Sequence, residues 1–190
     1  MAHPAGERLT ASPLSSTRHA VGGRVHDGPV TEEDVIQLFT DLPSVVAVTA
    51  ADGDGSPEVA WGDTFVHYEP DGRGDRMFPF ATIVIKDYRG FDTASELDRA
   101  GVYRVNLAVG RAAFEEILGY PPAAFAEHAG DVDFAELDQL MPHPVYGKQA
   151  WISVVVPGDR TAGRMHYLVT TAYQREQRRR RAGRTGRDEQ

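Results

Sequence analysis

Cysteine is absent from the 190 residues, which excludes disulfides, thiolate zinc sites, iron–sulfur clusters and a cysteine nucleophile. Lysine is nearly absent as well: Lys86 and Lys148 are the only two, so almost every basic residue is arginine. With abundant Ala, Gly and Asp, that usage is the mark of a GC-rich genome, and arginine in place of lysine carries little functional weight. Long apolar runs are missing. No stretch approaches the roughly 18 apolar residues of a membrane span, and the N-terminus lacks the apolar core of a signal peptide. The expectation is a cytoplasmic protein with no membrane contact. No G-x-G-x-x-G follows a strand, and there is neither a Walker loop nor a G-x-S-x-G elbow, so no cofactor is expected. Histidines 67, 128 and 143 are dispersed, without an H-x-x-x-H or H-E-x-x-H pair, and no metal is expected.

What is present is an uneven charge. The net charge is −8, yet residues 174–190 hold seven arginines against three acids. The rest therefore carries 13 basic and 25 acidic groups. An acidic body repels phosphate backbones. Nucleic-acid contact is expected only as a weak one through the basic C-terminal tail, whose plainer role is to keep a helix end solvated.

Residues 1–28 mix Pro, Gly, Ser, Thr, His and Arg without a period and read as a disordered leader. One domain then spans 29–173, and 174–190 form the tail. Thr31 and Asp34 make a capping arrangement, and Val35, Leu38, Phe39 and Leu42 form the apolar stripe of a first helix. Strands are expected over 45–50, in a short piece through Trp61, and over 64–69. The two clearest strand patterns lie within 77–111. The run from Phe78 to Ile85 is nearly all apolar. From Val102 to Val109 the pattern alternates, with Tyr103, Val105, Leu107 and Val109 on one face and Val102, Arg104, Asn106 and Ala108 on the other.

Between these strands, Ser95 or Thr93 can cap a short helix that Gly101 ends. A helix over 112–118 stops at Gly119. Asp133 and Glu136 start another that carries Phe134, Leu137, Leu140 and Met141. A strand over 150–156 and a last helix with Met165, Leu168, Val169 and Ala172 complete the chain. This order predicts an α+β fold: a two-layer sandwich whose mostly antiparallel sheet has helices packed on one face.

Four groups of residues carry candidate chemistry. Arg104 and Asn106 share one strand face, where a guanidinium beside a carboxamide can bind a carboxylate or phosphate. Trp61 and Asp63 flank a glycine at a strand end, an indole wall next to a carboxylate. Lys86, Asp87, Tyr88, Phe91 and Asp92 follow the first central strand, where loops commonly place polar groups held by a rigid sheet, and His67 lies on an earlier one. His143, Tyr146 and Lys148 lie in a turn stiffened by Pro142 and Pro144, where a rigidly held imidazole can serve as general base with Tyr146 or Lys148 donating to an oxyanion. The leading expectation is a domain that binds a small polar or anionic molecule against the sheet through Trp61, His67, Lys86, Arg104 and Asn106. The rival is a cofactor-independent isomerase, cyclase or hydrolase using His143 with Tyr146, Lys148 and Asp63. The third is a nucleic-acid accessory protein acting through the arginine tail. Ligand identity and oligomeric state are not legible.

The order of the leading helix TEEDVIQLFTDLP, the WGD near a strand, the histidine-containing turn, the strand QAWISVVV and the closing helix resembles the YjbR/MmcQ-like (double-wing) α+β proteins. That resemblance implies a two-layer fold, and DNA binding has been discussed for such proteins. EVAWGDTFVHY, PFATIVIKDYRGFDTASELDR, VYRVNLAVGRAAFEEILG and HPVYGKQAW more closely resemble an uncharacterised family of GC-rich, actinobacterial-type bacteria, over about residues 30–173. That family implies no assigned activity.

Overall fold

The computed structural model describes residues 19–21, 24–26, 30–72 and 78–183, with the backbone of the last helix continuing to Asp188. Strands β1 (His19–Val21) and β2 (Arg24–His26) pair antiparallel as a two-stranded sheet inside the stretch read as a disordered leader; the remainder of that stretch lies outside the described residues.

Helix α1 (Glu32–Thr40) starts where the sequence places it. Thr31 Oγ1 accepts from the Asp34 N–H at 3.2 Å, and Asp34 accepts from the Thr31 N–H at 3.0 Å. This closes a capping box with three acids against the positive end of the dipole. Strands β3 (Val45–Thr49), β4 (Thr64–Tyr68), β5 (Ala81–Val84), β6 (Arg104–Ala108), β7 (Met141–Pro142) and β8 (Trp151–Val155) form one open sheet in the order β3-β4-β5-β6-β8-β7. Every pairing within it is antiparallel.

The register sorts the side chains into two faces. Val66, Ala81, Ile83, Val105, Leu107, Ile152 and Val154 line one. Against them pack Val35, Leu38 and Phe39 of α1, Phe114 of α2 (Arg111–Leu118), and Met165, Leu168, Val169 and Ala172 of α4 (Ala162–Asp188). Helix α2 ends at Gly119, whose φ of 83° takes the left-handed cap that a side chain would strain. A short helix α3 (Phe125–His128) follows the Pro121-Pro122 break. Helices α1, α2 and α4 thus share one side of the sheet.

Three local expectations are corrected. The piece before Trp61 is a 3-10 turn, Glu58–Ala60, not a strand. No helix forms over 93–101, because the carboxylates there bond to backbone across the loop. Asp87 accepts from the Leu97 N–H at 2.8 Å, and Asp98 from the Asp87 N–H at 3.1 Å. Nor does one form from Asp133: Asp138 turns to φ 56° and donates its N–H to the Val155 carbonyl at 2.7 Å, and Met141 joins β7. Sheet pairing has displaced helix propensity at this point.

The carboxyl-terminal stretch 174–188 continues α4 as helix. Buried Glu176 accepts from Arg179 Nη2 at 2.6 Å and from Arg180 Nε at 3.2 Å, and Arg180 also donates to the Tyr68 carbonyl. Among the described residues no helix is long and apolar enough to cross a membrane.

Candidate functional site

The second face of the sheet carries a polar row. On β6 the outward positions are Arg104, Asn106 and Ala108, flanked on β5 by Val84 and Thr82 and on β8 by Val155, Ser153 and Trp151. The alternation expected for this strand is correct, but the polar side is not wet. Arg104 is 1% exposed and Asn106 and Ser153 are 0% exposed, so each polar group needs a protein partner.

Those partners are all present. Arg104 Nη1 and Nη2 fork onto the Asp92 carboxylate at 3.2 and 2.5 Å. Nη1 also donates to Ser95 Oγ at 2.7 Å, and Nε donates to Asn106 Oδ1 at 2.9 Å. The same Oδ1 accepts from Ser153 Oγ at 2.8 Å, which leaves the Asn106 amide group to donate to Thr82 Oγ1 at 2.9 Å. A buried ion pair survives desolvation only with this kind of bidentate geometry and full satisfaction.

The Asp92 carboxylate belongs to a loop laid over the sheet. Tyr88 and Asp92 bridge to each other around a turn in which Gly90 has φ 77°. The Tyr88 hydroxyl donates to Asp63, which also accepts from the Ile85 N–H at 2.9 Å. Burial pushes the Asp63 carboxyl above its usual range, opposed by those two hydrogen bonds. Burial and the neighbouring Asp63 likewise push the Tyr88 phenol up. The turn is therefore pinned at both ends, and at its tip Phe91 is left 58% exposed.

His143 lies beyond the short edge strand β7, where its N–H donates to the Trp151 carbonyl at 3.0 Å. The side chain is buried. Its Nδ1 accepts from the backbone N–H groups of Val145 at 3.0 Å and Tyr146 at 3.2 Å. Two donors aimed at Nδ1 require a lone pair there, so the ring proton sits on Nε2. Burial, assisted by the positive Arg104 guanidinium, holds this imidazole down at about 2, and it is neutral at physiological pH. Nε2 has no protein partner among the described residues and is not among the side-chain polar atoms sealed from solvent without a partner.

Aromatic rings surround it. Tyr146 lies 4.9 Å and Trp151 6.3 Å from the His143 ring centroid, the latter edge-on. Tyr146 continues to Trp151 at 6.1 Å and to Phe91 at 6.2 Å. The arrangement offers π-faces and one neutral N–H donor, beside a satisfied ion pair that fixes one of the rings.

Of the residues singled out in the sequence, Arg104, Asn106, His143 and Tyr146 come together here. Trp61 and Lys86 meet just past the end of β5, where Lys86 Nζ donates to the Trp61 carbonyl and the Trp61 indole donates to the Ser56 carbonyl at 3.3 Å, and Asp63 is tied to the Phe91 turn through the Tyr88 hydroxyl. His67 is buried on β4, separated from β6 by β5. Lys148 is exposed on the 3-10 turn Gly147–Gln149 after Tyr146. Among the described residues no three His, Asp or Glu side chains gather as metal ligands.

Thr82, Ser153 and Trp151 were not foreseen as part of this group. Ser153 had a signal: a lone hydroxyl amid the apolar run of β8, in phase with Trp151. Phe91 and Asp92 were expected only as part of the loop after the first central strand, and their pairing with Tyr146 and Arg104 depends on tertiary contacts.

The fold and face define an α+β protein built on a six-stranded antiparallel open sheet, with α1, α2 and α4 on one side and a buried polar row on the other. Residues 30–185 match DUF6194, a family of unknown function, and the chain belongs to that family. No curated protein and no solved structure matches it.

Proposed function

We propose that the protein is a binding domain for a small polar molecule, held against the second face of the sheet by His143 and the rings of Phe91, Tyr146 and Trp151. The observation that carries this reading is the His143 side chain: buried, neutral, its Nδ1 occupied by two amides, and its Nε2–H left for something other than protein. The Nε2–H reaches solvent but no protein acceptor, so a ligand oxygen or nitrogen can take the place of water there. Arg104 and Asn106 serve this site from behind. Their polar atoms are engaged by Asp92, Ser95, Ser153 and Thr82, so they set the position of the Phe91 turn rather than touch the ligand.

An acid/base enzyme using His143 has less support, since the free nitrogen already carries a proton and the basic one is covered by amides. Contact with nucleic acid through α4 also has less support, because Arg179 and Arg180 turn back onto Glu176. The likeness to bacterial YjbR/MmcQ-like proteins belongs with the binding reading, supported by the packing of α1, α2 and α4 on one face of the antiparallel sheet.

The test is a thermal-shift screen of small polar aromatic compounds against the wild type, His143→Leu and Phe91→Ala. Compounds that stabilise the wild type should lose most of that effect in His143→Leu. Equal stabilisation of wild type and His143→Leu would remove the site from consideration.

A further inference from the structure

The neighbours of the two outermost rings narrow the class of molecule. Arg89 lies two residues before Phe91 in the pinned turn, and Lys148 lies two residues after Tyr146. Both are exposed. Neither has an ion-pair partner among the described residues. In a chain of net charge −8 with only two lysines, two unpaired cations flanking one aromatic contact stand against the general field. The carboxylate next to Phe91 in the chain, Asp92, is spent on Arg104.

We infer that the ligand is a planar aromatic acid: a flat ring that stacks among Phe91, Tyr146 and Trp151, an acceptor for the His143 Nε2–H, and a negative group that faces Arg89 and Lys148. This rests on the binding reading above and deepens it. The chemistry follows from what each wall offers. Tilted rings 6.1–6.2 Å apart give stacking and edge contacts to a flat π-system. A neutral N–H adds direction without charge. Exposed cations at the rim attract an anion from solution and lose that attraction in salt. A cationic ligand would find π-faces here, but Asp92 is engaged by Arg104 and the two rim cations would repel it.

The probes are 2-naphthoate, its uncharged amide 2-naphthamide, the cation 2-naphthylmethylamine and the non-aromatic decalin-2-carboxylate. Binding is followed by NMR titration of the full chain, read at the Trp151 indole and His143 ring signals. The naphthoate should bind most tightly. Arg89→Gln and Lys148→Gln should each weaken it by about two- to fivefold at low salt, leaving the amide unaffected. Raising the salt should weaken naphthoate binding to the wild type more than to the double variant.

If the amide or the amine binds as well as the naphthoate, or if the two rim variants leave its affinity unchanged, the assignment to an acid is wrong while the binding site stands. Decalin-2-carboxylate binding as tightly as naphthoate would overturn the requirement for a flat ring. If none of the four probes moves the Trp151 or His143 signals, the parent reading falls with it.

Discussion

Arg104 and Asp92 form a forked ion pair on the sheet face opposite α1, α2 and α4, at 1% and 8% residue exposure. The pair joins a central strand to the turn that presents Phe91, and its consequence is mechanical. A half-exposed aromatic is held in place by a charge interaction that water hardly reaches, so its position does not depend on hydrophobic collapse.

That relationship predicts an asymmetry between single and double substitutions. Arg104→Met or Asp92→Leu alone leaves one buried charge without its partner and should cost about 3–5 kcal/mol. The double variant Arg104→Met/Asp92→Leu should cost less than the sum, because both charges are gone. Urea midpoints for the four proteins measure the coupling. A double variant as damaged as the two singles added together would mean that the pair does not act as a unit.

A second expectation concerns acid. His143 titrates near 6.5 when unfolded and is held at about 2 in the fold. The unfolded chain therefore binds a proton first, and the native state loses stability as pH falls below 6.5. The slope from this group is about 1.4 kcal/mol per pH unit, with none above 6.5. Replacing the ring by leucine should flatten the stability profile between pH 6.5 and 5 by about that amount relative to wild type. An unchanged slope in His143→Leu would show that the imbalance lies elsewhere.

The start of α4 depends on a residue distant in sequence. Asp138 Oδ1 accepts from the N–H groups of Gly158 at 2.7 Å and Thr161 at 3.0 Å and from the Thr161 hydroxyl at 2.6 Å. Its Oδ2 accepts from the Arg160 N–H at 2.8 Å. These bonds outweigh its partial burial and hold its carboxyl below the usual range. Stability from this group is present above the unfolded carboxylate range and is lost as pH falls through it. Asp138→Ala should cost about 2 kcal/mol near neutral pH, as losing a good cap does. Chemical denaturation at pH 7 and pH 3 checks both statements, the difference between wild type and variant shrinking at the lower pH.

Gly147 follows Tyr146, and its N–H donates to the His143 carbonyl at 2.9 Å. A Cβ there would meet the Phe125 ring at 2.5–2.8 Å. Gly147→Ala should destabilise by about 1–3 kcal/mol through overpacking and displace the turn that holds His143. The expected signature is a lower melting temperature together with a shifted His143 ring resonance. A variant with wild-type values for both would show that Phe125 gives way freely.

Parts of this were readable without coordinates. The Thr31 and Asp34 box, the Gly119 stop and the alternation of β6 depend on neighbours a few residues away, and each formed as expected. The failures share a cause too. The stretch after Asp133 has the spacing of an amphipathic helix, but Asp138 and Met141 find partners on β8, so long-range pairing overrode local preference. The segment after Thr93 lost its helix to carboxylates bonding back across the loop.

The residue order alone determined which side chains share a face, because a strand's period of two is a local property of the backbone. It set an antiparallel α+β arrangement, put Arg104 and Asn106 side by side and braced His143 with prolines. Only the tertiary structure decided that this polar face is dry. Whether a guanidinium meets water or Asp92 depends on where a distant loop comes to rest, and no pattern within the strand encodes that. The same long-range packing brought Phe91 to Tyr146, tied Asp63 to the turn through Tyr88, and left Trp61 and Lys86 bonded to each other.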